Sequence, residues 1–193
     1  MKVQIIIGST RPGRVTATIA GWVAKTSSAV DGLEVEVVDL ADYPMPFFDE
    51  PISPRYNPNR TPKPEVQRFI DKIAVAEAYI YVTPEYNHST SAVLKNAIDY
   101  LTVEMLHKPA AVVSHGSVGG ARAIVALKEI LSESLAAIVP KSVAFIGHGT
   151  DSFDETGDLK ADLKANPYGP QKALDDMLID LKWYGNALTA ART

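Results

Sequence analysis

The sequence contains no cysteine among its 193 residues. Disulfide frameworks, thiolate catalysis, and zinc or iron–sulfur sites with cysteine ligands are therefore excluded. Its four histidines, His88, His107, His115 and His148, lack the spacing of a metal motif, so we expect no metal site. No apolar run approaches the ~18–20 residues that span a bilayer, and an apolar strand follows Met1 too closely for a secretory signal. These absences favour a cytoplasmic protein.

The sequence also has only a small excess of charge of one sign. The net charge is -4, which argues against a nucleic-acid surface or a polybasic membrane patch. The hydrophobic fraction of 46% and the charged fraction of 22% are ordinary for a globular protein. The length suits one sizeable core better than two, so we expect a single domain over residues 1–193.

Short β-branched runs alternate with segments of helical period along the chain. The strand candidates are Val3–Ile7, Leu33–Val38, Ala78–Thr83, Ala110–Ser114 and Ser142–Gly147. Most are nearly continuous apolar runs, as expected of parallel strands that are covered on both faces. Five strand–helix units in series predict an α/β fold with right-handed crossovers, a doubly wound parallel sheet in the flavodoxin-like order 2-1-3-4-5.

Two stretches depart from this pattern. Residues Ala41–Pro64 hold seven of the thirteen prolines and read as an ordered excursion between the second strand and the second helix. Residues Gly147–Gly169 read as a polar, locally acidic loop before the last helix. Long loops in compact domains are often functional, although solvated excursions are commoner.

Three loops follow the carboxyl ends of strands that the predicted order makes neighbours, and ligands of open α/β sheets bind at this edge. We name them loop 1 (Gly8–Thr16), loop 2 (Pro84–Ser91) and loop 3 (His115–Gly120). Loop 1 resembles a nucleoside-triphosphate loop, but Arg14 and Val15 stand where that motif needs Lys and Ser or Thr. Its hydroxyls, two arginines and helix start instead predict a magnesium-free site for a phosphate dianion. An ordinary polar turn with solvated arginines remains the alternative.

The other two loops supply surfaces for a flat ring. Loop 2 clusters a carboxylate, an aromatic ring and an amide at Glu85, Tyr86 and Asn87, and loop 3 places three glycines within five residues, where backbone can approach a ligand closely. Each loop alone is equally consistent with an ordinary turn. Together, the three loops fit a nucleotide with one terminal phosphate and a flat ring, a description that flavin mononucleotide (FMN) meets.

Three motifs, GSTRPGR at Gly8–Arg14, PEYNHS with LKNAIDYL at Pro84–Leu101, and GSVGGARA at Gly116–Ala123, occur in an order and spacing that resemble the NADPH-dependent FMN reductase family. That family includes flavin, quinone, azo-dye and chromate reductases. The resemblance implies that the FMN phosphate and ribityl chain are held by Ser9, Arg11, Arg14, Val15 and Thr16. It implies that the isoalloxazine ring is bordered by Pro84, Glu85, Tyr86 and Asn87. The pyrimidine side of the ring is then bordered by Gly116, Ser117, Gly119 and Gly120. Many members carry Ser at the position of Arg14, Asn at Thr16 and Gly at His88.

The implied function is an FMN-dependent NAD(P)H oxidoreductase that passes hydride from nicotinamide to flavin and electrons onward to a small acceptor: a flavin, a quinone, an azo compound or a metal oxyanion. NADPH or NADH is the donor, and no acid or base side chain is assigned because the flavin carries the chemistry. The alternative is a non-enzymatic electron carrier of the flavodoxin type, which usually presents a strongly acidic face. A phosphate-loop hydrolase is disfavoured by Val15, and a flavodoxin-like domain without a ligand is the fourth possibility.

The resemblance also implies a homodimer or homotetramer with the crevice beside the subunit boundary. The third helix is expected to run on into the segment Tyr100–Pro109, whose apolar residues Tyr100, Val103, Met105 and Leu106 face more than one side. Arg122 and Tyr86 are candidates for the rim of that contact. Alternatively, this segment packs under the proline-rich excursion of its own chain.

Overall fold

A computed structural model describes residues 1–57, 59–134, 136–146 and 149–192. Five strands form one parallel sheet in the order β2-β1-β3-β4-β5, which confirms the predicted flavodoxin-like α/β fold. The strands are β1 (Lys2–Ile7), β2 (Glu34–Asp39), β3 (Ala78–Pro84), β4 (Pro109–His115) and β5 (Ala137–Phe145). The helices are α1 (Val15–Ser28), α2 (Pro64–Ala74), α3 (Ala92–Asp99), α4 (Ala121–Glu133), α5 (Ala161–Ala165) and α6 (Pro170–Arg192).

The helices cover both faces of the sheet, because alternate residues of each strand pack in opposite directions. On one face, Ile5 and Ile7 join the apolar sides of α1 and α6 around the buried Trp22. On the other face, Ile6 and Tyr79 pack with α2, α3 and α4. Burial on both sides explains why the central strands are almost entirely apolar. No helix among the described residues combines the length and apolar character that crossing a bilayer demands.

The fifth strand begins five residues earlier than the sequence predicts. The segment Ala137–Lys141 includes Pro140 and lacks a continuous apolar run, and β5 lies at an edge of the sheet, where proline is tolerated. The pairing of β4 with β5 shifts register between Ala110 and Val112. Gly147, the predicted end of this strand, and the neighbouring His148 lie outside the described residues. The expected loop that follows contains a 3₁₀ turn, Gly149–Ser152, and α5.

The prediction that the third helix continues past residue 100 is wrong. The helix α3 ends at Asp99, because Thr102 adopts a non-helical backbone before a short 3₁₀ turn at Val103–Met105. The Tyr100 hydroxyl donates to the carbonyl oxygens of Pro46 and Phe47 at 3.3 and 3.2 Å. Tyr100 therefore packs under the proline-rich excursion of its own chain, whereas Val103 and Leu106 stay exposed.

Candidate functional site

Direct hydrogen bonds join the three loops at the carboxyl edge of the sheet. The Ser9 hydroxyl in loop 1 lies 3.2 Å from the Tyr86 hydroxyl in loop 2. The backbone N–H of Glu85 donates to the carbonyl of His115 at 2.8 Å, and the Thr16 hydroxyl lies 2.9 Å from Nε2 of His115. The convergence that the strand order predicts is therefore present in the structure.

Loop 1 leads into a helix start that no side chain caps. Arg14 is the N-cap residue of α1, its side chain makes no capping hydrogen bond, and the first turn of α1 contains no acidic residue. The first backbone N–H groups of a helix lack intrahelical partners and carry the positive end of the helix dipole. Such a start is a ready site for an anion.

The two arginines of loop 1 have different environments. The Arg14 guanidinium pairs with Asp39 at the end of β2, and its Nε is buried with no hydrogen-bond partner among the described residues. Arg11 is exposed, and its guanidinium has neither a hydrogen bond nor an ion pair within the described parts of the chain. Arg11 is therefore the guanidinium available to an anion, and Arg14 fastens loop 1 to β2. The sequence analysis selected both arginines but missed Asp39, whose place at the end of an alternating strand gives no local signal.

Loop 2 forms a tight turn with two residues in the left-handed region. Tyr86 and Ser89 exchange two backbone hydrogen bonds of 2.9 and 3.0 Å, and between them Asn87 and His88 have φ of 48° and 69°. Asn and His are both among the residues enriched in this conformation, and two consecutive non-glycine residues in it are uncommon outside tight turns and ligand sites. The turn presents Asn87 at the surface beside the partly buried Tyr86.

Glu85 is tied to the start of α4 rather than to solvent. Its carboxylate accepts hydrogen bonds from the backbone N–H of Arg122 at 3.1 Å and from Arg122 Nε at 2.6 Å. Desolvation raises the pKa of Glu85, but the hydrogen bonds and charge of Arg122 outweigh it, so the pKa lies below its usual value. Arg122 Nη1 also lies 3.0 Å from His88 Nε2. Arg122 thus clamps loop 2 against α4. The sequence instead predicts Arg122, together with Tyr86, at the rim of a subunit contact.

Loop 3 brings backbone close to its neighbours, as its glycines predict. Gly119 and Gly120 have φ of 75° and 72°, and Gly120 is the N-cap of α4, where the Glu85 carboxylate accepts the Arg122 N–H. A Cβ on Gly120 would lie 2.7 Å from the backbone nitrogen of His115, and one on Gly119 would lie 2.7 Å from Ile146. Pro84 is buried, Gly116 is partly buried and Ser117 is exposed.

The segment after β5 is a fourth element at this edge, which the sequence analysis missed. Gly149 approaches Val15 at the start of α1, at 3.5 Å from the position of an added Cβ, and Ile146 packs over Gly119. Its polar composition resembles that of any solvated loop, so only the packing reveals its place.

Cavity volume alone does not identify the functional site, because the larger of the two cavities described here lies away from loops 1, 2 and 3. A cavity of about 340 Å³ adjoins loop 1, and its lining comprises Thr10, Leu40, Ala41, Tyr43, Pro44, Met45, Val93 and Asn96. A cavity of about 830 Å³ lies between α6 and the far end of α1, with the mainly apolar Leu178, Ile179 and Trp183 on its wall. The open start of α1, the positive-φ turn of loop 2 and the exposed Arg11 all lie at the carboxyl edge, so we place the candidate site there.

The parallel sheet in the order β2-β1-β3-β4-β5 defines the flavodoxin-like class of folds. The structure aligns with the flavoenzyme NAD(P)H:(acceptor) oxidoreductase FerB of Paracoccus denitrificans with a TM-score of 0.73 and 23% identity, over 96% of this chain and 97% of that one. The sequence profile of the NADPH-dependent FMN reductase family matches residues 1–151. The chain belongs to that family.

Two curated relatives agree with this membership. The chain is 36% identical over 167 residues to the NAD(P)H-dependent FMN reductase ntnL of Nectria sp, which covers 81% of each protein. It is 30% identical over 188 residues to the NADPH azoreductase of Bacillus sp. (strain OY1-2), with 95% of this chain and 92% of that one aligned. The predicted family, the prediction of an enzyme, and FMN with NAD(P)H as cofactors are thereby confirmed. The non-enzymatic carrier is disfavoured.

Proposed function

We propose that this FMN-dependent NAD(P)H oxidoreductase reduces a small acceptor, namely a flavin, a quinone, an azo compound or a metal oxyanion, at a site built from loops 1, 2 and 3 of one domain over residues 1–193. The observation that carries the proposal is the open helix start at Arg14, which hydrogen bonds of loop 1 join to the Tyr86 turn and to His115. Such a start suits a phosphate.

The residues present fit FMN. A phosphate needs donors without a competing acid, and loop 1 offers the α1 N–H groups, the exposed Arg11 and the Thr16 hydroxyl. Gly13 has φ of 66° and would place a Cβ in open space, so the backbone there is accessible. Ser9, Arg14 and Val15 complete the phosphate and ribityl end in the proposed arrangement.

The residues of loops 2 and 3 would hold the flavin ring and would not take part in the reaction themselves. When bound, FMN accepts a hydride from the reduced nicotinamide and delivers the electrons to the acceptor. Tyr86 and Asn87 border the ring, with Pro84 and Glu85 behind them, and the backbone of Gly116, Ser117, Gly119 and Gly120 borders its pyrimidine side. The Glu85 carboxylate already accepts the Arg122 N–H at the start of α4, so this border offers close approach of backbone rather than an open anion site.

A homodimer or homotetramer belongs to the same proposal. Val118 in loop 3 and Val125 on α4 are exposed by 51% and 68%, and Phe47 in the proline-rich excursion by 82%. Exposed apolar side chains beside a ligand crevice favour a partner surface there. Sedimentation velocity at micromolar concentration tests this: a single species near 20.9 kDa contradicts it.

The purified protein tests the function directly. We expect a flavin absorption spectrum, or its appearance on titration with FMN, release of FMN rather than FAD on denaturation, and steady oxidation of NADPH or NADH when a quinone or azo dye is supplied. Initial rates at several acceptor concentrations should give the parallel reciprocal plots of a ping-pong reaction, because one site serves donor and acceptor in turn. Failure to bind FMN together with no turnover in added FMN contradicts the proposal.

Ring-border variants locate the chemistry within the protein. Tyr86→Ala and Asn87→Ala should change flavin fluorescence or turnover more than thermal stability, because both side chains serve the crevice and not the core. Tyr168→Ala is the matched control, since Tyr168 is 96% exposed. If both crevice variants lose stability and keep wild-type turnover and fluorescence, the ring lies elsewhere.

A further inference from the structure

His115 is a side chain to which the proposed function gives no part. It is the last residue of β4, is mostly buried, and its Nε2 lies 2.9 Å from the Thr16 hydroxyl in the first turn of α1. Thr16 is fully buried. Within the described parts of the chain, neither the Thr16 hydroxyl nor the His115 ring makes another hydrogen bond. Thr16 and His115 therefore form an isolated pair. The position of the hydroxyl proton of Thr16 depends on which ring nitrogen of His115 carries hydrogen.

The imidazole is neutral under ordinary conditions. Burial lowers the pKa of His115 to about 4. A neutral imidazole carries one N–H donor and one acceptor nitrogen. If Nε2 accepts, the Thr16 proton is used up inside the protein, and the hydroxyl shows only lone pairs to its surroundings. If Nε2 carries the hydrogen and donates, the hydroxyl proton stays free to be donated elsewhere.

We propose that His115 is a positioning residue: its Nε2–H donates to the Thr16 hydroxyl and directs the hydroxyl proton toward a phosphate held at the start of α1. This inference rests on the proposed function, which places the phosphate there. Phosphate oxygens only accept hydrogen bonds, so a hydroxyl that offers lone pairs would repel them. The bound phosphate and the Nε2–H tautomer therefore stabilise each other through Thr16.

The tautomer can be observed without measuring activity. In protein labelled with ¹⁵N at histidine side chains and saturated with FMN at pH 7.5, we expect His115 to show a protonated Nε2 and an unprotonated Nδ1. The spectrum of His115→Gln assigns the signals by their loss. A protonated Nδ1 in the FMN-bound protein overturns the inference.

The affinities of matched variants for FMN and riboflavin test whether His115 and Thr16 contribute to phosphate binding, because riboflavin lacks the phosphate. Thr16→Val should weaken FMN about tenfold, the effect of one lost hydrogen bond, and leave riboflavin unchanged. His115→Leu keeps the Thr16 hydroxyl but no longer directs its proton, so it should weaken FMN by a smaller factor and also leave riboflavin unchanged. His115→Gln keeps an N–H donor and should retain most of the FMN affinity. The double variant should be no weaker than Thr16→Val, since the donor to the phosphate is lost in both. Far-UV circular dichroism checks that each variant is folded.

These binding experiments distinguish failure of the positioning role of His115 from failure of the phosphate site in loop 1. If Arg11→Ala weakens FMN but His115→Leu binds FMN like the wild type, the positioning role is overturned and the phosphate site stands. Equal weakening of FMN and riboflavin in His115→Leu indicates packing alone and also overturns the inference. If the wild type has no preference for FMN over riboflavin and Arg11→Ala changes neither affinity, the phosphate site itself fails.

Discussion

The starts of α1 and α3 follow neighbouring strands at the same edge of the sheet, yet one is open and the other is closed. At α3, the Ser91 hydroxyl accepts from the N–H of Leu94 at 3.2 Å and donates to the carbonyl of Gly8. At α1, the N-cap Arg14 leaves the N–H groups free and turns its guanidinium to Asp39. A helix start is a candidate anion site only where the chain withholds its own cap.

The largest expected effect comes from removing charge at the open start. Arg11→Ala combined with Arg14→Ala should weaken FMN by about 3–6 kcal/mol, from about 1.5–3 for the charged hydrogen bond of Arg11 to the phosphate and a similar amount for the Arg14–Asp39 bond that holds loop 1 in place. Arg11→Ala alone should account for more of the affinity than Arg14→Ala, because Asp39 already neutralises Arg14. Fluorescence titration measures both, with Arg55→Ala as the control, an arginine paired with Glu133 on another surface. Unchanged affinity in the double variant contradicts the assignment of loop 1.

Gly13, before the start of α1, and Gly120, at the start of α4, should differ in how much an added methyl group lowers the free energy of unfolding. Gly120→Ala combines a left-handed φ with collisions against Ser114 and His115 and should lower the free energy of unfolding by about 2–5 kcal/mol. Gly13→Ala has a similar φ but meets open space, so about 1–2 kcal/mol of strain is expected. Urea unfolding of the two variants compares them. Equal losses would mean that close approach in loop 3 adds nothing to backbone strain.

The buried imidazole under the open start makes stability depend on pH. The pKa of His115 is about 4 in the folded protein, against about 6.5 in the unfolded chain. The unfolded state therefore binds a proton first as pH falls, so apo-protein stability decreases between pH 6.5 and 4, by about 3 kcal/mol in total, and is unaffected by this group above that range.

His115→Gln should remove that part of the pH dependence, which urea unfolding at pH 7.5, 5.5 and 4.5 detects as a difference from the wild type. His107→Gln is the control, because His107 is exposed. Parallel wild-type and His115→Gln profiles would contradict the depressed pKa.

The smallest effect is expected at the closed start. Ser91→Ala removes the cap of α3 and should lower the free energy of unfolding by about 1 kcal/mol, with little change in the FMN affinity of the folded protein. Thermal denaturation and FMN titration of the same preparation compare the two quantities. A loss of affinity as large as that of Arg11→Ala would erase the distinction between the two starts.

The sequence predicts the fold well because its signals are local. The apolar runs around Ile5, Ile80 and Val112 mark buried parallel strands wherever they occur, and their number and spacing lead to the sheet order. The beginning of β5 fails for the converse reason: Pro140 at an edge strand interrupts the run without interrupting the strand.

The candidate site also contains some residues with a local sequence signal and others without one. Helix starts, arginines and glycines are visible in the motifs, so the members of loops 1, 2 and 3 can be nominated from sequence. Asp39, the contact of His115 with Thr16 and the Glu85–Arg122 pairing cannot be nominated, because each depends on which residues the tertiary structure places opposite one another. A histidine at a strand end and an aspartate after a valine carry no sign of their partners.

Loop 1 is fastened to three different strands before any ligand arrives. Gly8 N–H donates to Val82 of β3 at 2.8 Å, Arg14 holds Asp39 of β2, and Thr16 meets His115 of β4. The conformational entropy of ordering this segment is thus spent during folding and not during association. Capture of a phosphate ester should then be fast and governed by diffusion and ionic strength, with the backbone of loop 1 almost superimposable before and after binding.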